Sequence, residues 1–233
     1  IYPDVEGFCV DNTSLDIPVI VEDSEACQRY SGVSISSITV GDSPDWLRTA
    51  LQSIGIRPIN NIVDITNFVL METGQPLHAF DAMQIDGGKV IVKKLDKDTL
   101  FTTLDGVERK LSGNDLMICN EKEGMCIAGV FGGEKSGVSS STTSIFLESA
   151  CFDPATIRKT GKFHGLHTDA SFRYERGADP AITVYALKRA ALLVKEIAGG
   201  TISSNLYDVI AKSIQKVEVE VDYDRMNRFI GQI

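Results

Sequence analysis

Apolar residues in this chain recur at two periods, and the two alternate along the sequence. A strand is predicted over "IPVIVED" (Ile17 to Asp23), and a longer one near "SGVSISSITV" (Ser31 to Val40). Ser43-Pro44-Asp45 reads as a helix start, with Ser as cap and Pro in the first helical position; that helix ends near Gly55. In "RPINNIVDITNFVLMETGQPLHAFD", Asn60 or Asn61 caps a helix running to about Thr73, and Gly74 closes it. Ile62, Ile65 and Val69 share one face of that helix; Asn60, Asp64 and Asn67 share another. A loop then delivers His78.

Residues 89–131 have strand character, with Asp105-Gly106 as a hairpin turn and "FGGEKSG" (Phe131 to Gly137) as a glycine-rich loop. A strand "SIFLESA" ends near Ala150, and Asp153-Pro154 opens a short helix. Asp179-Pro180 opens the longest helix, which stops at Gly199-Gly200. Residues 202–222 return to strand character, and "DYDRMNRFIGQI" begins a further helix. Helix and strand runs mix without strict alternation, so the predicted class is α+β, with mixed or antiparallel sheets and packed helices. Residues 1–15 read as an irregular lead-in.

Composition narrows the class. The 233 residues are 43% hydrophobic and 24% charged, which is ordinary for a globular domain. No apolar run approaches the ~18 residues of a membrane span, and no signal segment opens the chain, so a cytoplasmic protein is expected. Residue 1 is Ile, which suggests a piece of a longer chain. Cys9, Cys27, Cys119, Cys126 and Cys151 form no CxxC, and the three histidines do not group with them, so buried reduced thiols are expected and no metal site. A net charge of −9 argues against a stand-alone RNA binder, which grips phosphates with a basic face.

Candidate chemistry is sparse. Gly132-Gly133 is not a GxxxxGK[ST] phosphate loop; glycine there serves a turn or close ligand approach. "SSST" (Ser139 to Thr142) reads as a solvated loop, and no nucleophile elbow exists. His78, His164 and His167 are each lone histidines. Asp169, Arg173, Glu175 and Arg176 read first as a surface ion-pair network. Glu148 stands out because it follows "SIFL" in an apolar strand. It is either a strand-end charge reaching water or a buried acceptor for a ligand hydroxyl.

Three segments together resemble the bacterial phenylalanyl-tRNA synthetase β chain: "RPINNIVDITNFVLMETGQPLHAFD", "IAGVFGGEKSGV…FLESACFDP" and "GLHTDASFRYERGADP". With the stretches between them they cover roughly residues 40–210. The resemblance implies a B3/B4-type domain over residues 16–212 and the truncated start of the next, B5-like module over 213–233. It implies an editing activity that hydrolyses tyrosine misattached to phenylalanine tRNA. By the matching motifs, Glu148 reads the tyrosine hydroxyl, and Gly132, Thr168 and Ala170 leave room for the ring. His78, Thr66 and Asn67 surround the ester and its water, and Arg57 holds the adenosine end. No cofactor is expected in this region. The whole enzyme is expected to use ATP and magnesium, to charge phenylalanine, and to work with an α subunit in an α2β2 assembly. The alternatives are a non-catalytic module that braces the synthetase or docks tRNA, and a stand-alone ester or peptide hydrolase.

Overall fold

The computed structural model describes residues 3–212 and 218–231. The first two residues of the predicted lead-in and residues 213–217 and 232–233 of the predicted next module lie outside the described residues. Two five-stranded sheets and a small hairpin carry the strands. The first sheet runs β1 (Val19–Val21), β4 (Val90–Lys94), β7 (Leu116–Cys119), β8 (Gly124–Ile127), β9 (Phe131–Gly132). The second runs β11 (Thr201–Ile202), β2 (Cys27–Ser36), β10 (Ser144–Phe152), β3 (Leu77–Asp81), with β12 (Tyr207–Ile210) also on β2. β5 (Leu100–Thr102) and β6 (Glu108–Lys110) form the hairpin around Asp105-Gly106. β1 and β4 pair in parallel and the other strand pairs are antiparallel, so the sheets are mixed and the class is α+β.

The helices are α1 (Asp45–Ser53), α2 (Asn61–Thr73), α3 (Pro154–His164), α4 (Asp169–Tyr174), α5 (Thr183–Ile197) and α6 (Tyr223–Ile230). The second sheet lies between two apolar cores because successive side chains on a strand point to opposite faces. Tyr30, Phe80, Phe146, Ala150 and Phe152 face one core, shared with Val90, Ile118 and Ile127 of the first sheet. Val33, Ile35, Ala79, Ile145 and Leu147 face the other, shared with Ile62, Ile65 and Val69 of α2 and with Ala186, Leu187 and Val194 of α5. β10 is buried almost throughout, which suits a central strand covered on both faces.

Several sequence expectations shift. Ser43 does not cap α1. Pro44 takes the cap position without a side-chain bond, and Ser43 Oγ instead donates to buried Asp64 at 2.5 Å. Asp64, read as part of a polar stripe of the helix, also accepts from Ile59 N at 2.8 Å, so its carboxylate ties the α1–α2 connection together. Asn60 does cap α2 through Val63 N at 2.9 Å, which stabilises it by about 1 kcal/mol. Asp179 closes a local turn onto Ala181 N, and α5 starts only at Thr183. The predicted strand near Ser31–Val40 is β2 at Cys27–Ser36; it stops where Ser37 turns to a φ of 57°. Of residues 202–222, β11 and β12 reach 202 and 207–210. Thr142 turns inward, with Oγ1 donating to Asp81 at 2.6 Å, so the serine-threonine stretch is not wholly solvated. Cys27, Cys119, Cys126 and Cys151 are buried free thiols, and Cys9 is exposed.

Candidate functional site

His78 is not on a loop. It sits on edge strand β3, directly opposite Glu148 of β10, and Glu148 is flanked on its other side by Gly32 of β2. This register puts the imidazole and the carboxyl on the same sheet face, toward the first sheet. Phe146, two residues before Glu148, packs over Gly32; a Cβ on Gly32 would lie 2.2 Å from the Phe146 ring.

Glu148 is the fifth of nine residues in β10 and only 3% exposed, so it is not a strand-end charge reaching water. Tyr30 Oη donates to Glu148 Oε2 at 2.7 Å. Burial pushes the Glu148 carboxyl up from 4.5 to about 8, and the Tyr30 hydrogen bond opposes this only in part. At neutral pH Glu148 is therefore a protonated acid, able to donate as well as accept. His78 is driven the other way, from 6.5 to about 4 by burial, so its ring is neutral at physiological pH. Its ring packs edge-to-face with Phe80, the centroids 4.5 Å apart, and Nε2 is shielded with no hydrogen-bond partner among the described residues. An unpartnered buried nitrogen costs free energy, which a ligand or water can recover.

These two groups face a cavity of about 80 Å³, lined also by Gly132, Ala170, Cys126, Phe131 and Tyr174. That exceeds the ~10–15 Å³ one water requires. Gly132 on β9 lies across from His78; a Cβ there would meet the imidazole Cε1 at 3.3 Å. Thr168 does not line the cavity. It caps α4 through Ser171 N at 3.1 Å and bonds Val130 O at 3.1 Å, which fixes Ala170, two residues on, against the wall. Tyr174 Oη donates to Pro76 O at 3.3 Å and ties α4 to the segment entering β3.

Four of the eight sequence-selected residues thus meet in one cavity: His78, Gly132, Glu148 and Ala170. Thr66, Asn67 and Arg57 are not among its lining residues. Thr66 and Asn67 lie on α2, whose apolar stripe packs on the opposite face of the second sheet, and the Thr66 hydroxyl is spent on Val63 O at 2.7 Å. Arg57 is exposed in a separate open groove beside Asp42, Arg48 and Asp64. Tyr30 and Cys126 were missed from sequence. Tyr30 carries a recoverable signal: it lies at an even spacing from the face later shared by Gly32 and Glu148, but only strand pairing joins the two. His164 is occupied elsewhere, its Nε2 2.9 Å from buried Asp115. Of the four charged residues before α5, Glu175 and Arg176 pair with each other, and Arg176 also stacks 3.6 Å over Phe172.

The sequence and the fold both have relatives. The B3/4 domain family model matches residues 26–199, and the chain belongs to that family. Proteins named phenylalanine–tRNA ligase β subunit match nearly the whole chain. The one from Bacteroides fragilis is 58% identical over 231 residues, covering 99% of this chain and 28% of that protein. The one from Geobacter metallireducens is 48% identical over 213 residues, covering 91% of this chain and 27% of that protein. The chain thus spans under a third of these relatives, and the resemblance to that β chain holds for the region it spans. An N-terminal fragment of the phenylalanyl-tRNA synthetase β subunit from Pyrococcus horikoshii shares the fold, with a TM-score of 0.53 at 12% identity, over 96% of this chain and 62% of that one.

Proposed function

We propose that this domain hydrolyses tyrosine wrongly esterified to phenylalanine tRNA. The observation that carries the reading is the buried carboxyl of Glu148, set opposite a neutral His78 at the bottom of a cavity whose walls include Gly132 and Ala170. Tyrosine differs from phenylalanine by one hydroxyl, and an apolar synthetic pocket rejects such an isostere by only ~10². A second site can reverse the test by offering the hydroxyl a buried partner. Phenylalanine would leave that partner unpaired at a cost of roughly 1–3 kcal/mol.

In this reading the ring lies against Gly132 and Ala170, with its hydroxyl at Glu148. His78 offers Nε2 to the water or the ester. Because Thr66 is bonded within its own helix, water positioning falls mainly to His78. No side chain in the cavity is an activated nucleophile: burial raises the Cys126 thiol well above its usual range. Hydrolysis by positioned water, aided by a terminal ribose hydroxyl of the tRNA, is therefore the proposed course. Arg57 keeps a proposed role as a surface grip for the adenosine end.

The complete protein is proposed to attach phenylalanine to its tRNA, using ATP and magnesium, together with an α subunit in a cytoplasmic α2β2 assembly. The test supplies tyrosyl and phenylalanyl esters of phenylalanine tRNA and follows ester loss. Selective release of tyrosine is expected, and Glu148→Ala should lose the preference. Binding without turnover in the complete enzyme would favour a docking module instead.

A further inference from the structure

Glu148 has two carboxyl oxygens in different situations. Oε2 accepts from Tyr30 Oη at 2.7 Å, while Oε1 has no hydrogen-bond partner among the described residues. Of the polar neighbours, His78 has an unpartnered Nε2, and Tyr174 and Cys126 are committed elsewhere. Tyr174 Oη donates to Pro76 O at 3.3 Å, and Cys126 Sγ donates to Phe131 O at 3.3 Å. On β2 the space over Gly32 is filled by the Phe146 ring, so Tyr30 is the β2 side chain that bonds the carboxyl. Tyr30 itself is fully buried, and its Oη has no other bond among the described residues.

We propose that Tyr30 is a specificity-determining positioning residue: by bonding Oε2 it fixes the carboxyl rotamer and leaves Oε1 as the defined port for a ligand hydroxyl. This rests on the hydrolytic reading above and deepens it. A carboxyl free to rotate offers either oxygen to any water that follows the ligand in. A clamped one presents one atom at one depth, and a ligand without a hydroxyl there leaves it unpaired.

The groups facing Glu148 are Tyr30 and Cys27 on β2, His78 on β3, Cys126 on β8 and Tyr174 on α4, and none is cationic at neutral pH. Tyr30 is thus the group that favours the ionised carboxyl. Ionisation turns Oε1 from a neutral donor into a charged acceptor, which binds a phenol more strongly. Selectivity for a hydroxylated ring therefore rises as pH passes through about 8.

The experiment uses the complete enzyme and the tyrosyl and phenylalanyl esters of phenylalanine tRNA. It compares wild type, Tyr30→Phe, Glu148→Gln and the double variant. Tyr30→Phe keeps the ring, so the apolar core stays filled. The expected result is about a tenfold fall in the ratio of tyrosyl to phenylalanyl kcat/KM, with the pH rise displaced upward. The double variant should be no less selective than Glu148→Gln alone, because Tyr30 acts through Glu148. Wild-type selectivity and pH profile in Tyr30→Phe, or losses that simply add in the double variant, would overturn the role of Tyr30 while leaving the hydrolytic reading intact. A wild-type enzyme inert toward both esters would overturn both.

Discussion

Replacing Glu148 by Gln should make the protein more stable, and more so as pH rises. The side chain keeps its shape and still offers an oxygen to Tyr30, but can no longer ionise. In the unfolded chain the carboxyl ionises near 4.5, whereas in the fold it holds its proton to about 8. A folded value above the unfolded one means the stability of the wild type is complete below about 4.5 and declines until about 8. Each pH unit in that window removes about 1.4 kcal/mol, so by pH 7 the deficit reaches about 3 kcal/mol. The amide needs its own partner and recovers less than this, so the gain is an upper bound. Urea unfolding at about pH 5, 7 and 8.5 measures it, because taking the difference between the two proteins removes every other titrating group. The gap should be under about 1 kcal/mol at the acid end and widen to the alkaline end. A gap that stays constant across these pH values would refute the claim that a buried, proton-bearing carboxyl sits at Glu148.

Other consequences follow from the same geometry. His78→Ala should slow tyrosyl-ester hydrolysis at least tenfold with little change in the tyrosyl preference; full hydrolysis in a deacylation assay would remove His78 from the reaction. Arg57 makes no ion pair or hydrogen bond among the described residues, so Arg57→Ala should leave the melting temperature unchanged. If it grips the adenosine end, KM for the ester rises while the tyrosyl preference stays. His164→Ala should cost about 2–3 kcal/mol of stability by calorimetry without altering ester selectivity, because it strips buried Asp115 of one of its donors. Burial disfavours the Asp115 anion, but its bonds from Ser112, His164 and Thr160 outweigh that and hold its carboxyl below the usual range.

Elements with strong local signals were legible in the sequence. Asn60 and Gly74 bracket α2 as expected, since a cap side chain and a left-handed closing residue act within one turn. The Asp105-Gly106 hairpin and the Asp153-Pro154 helix start are local in the same way. The misplaced starts fail for a shared reason. Ser43 and Asp179 have other hydrogen-bond partners, Asp64 in one case and Ala181 in the other. Capping propensity cannot see a carboxylate twenty-one residues away.

The site divides along the same line. Sequence alone supplied an anomalous carboxylate in an apolar strand, and family motifs supplied its companions. What neither supplied is the strand register that sets Glu148 between Gly32 and His78, or the diagonal reach of Tyr30 to its second oxygen. Those partners are separated by 118 residues for Tyr30 and lie on different strands. Their meeting depends on how the strands order and pair, which hydrophobic packing of the whole domain decides and no local run of residues encodes. The same packing strips water from both groups, and so it gives the site a neutral imidazole and a neutral acid where the isolated side chains would be a partly protonated base and an anion.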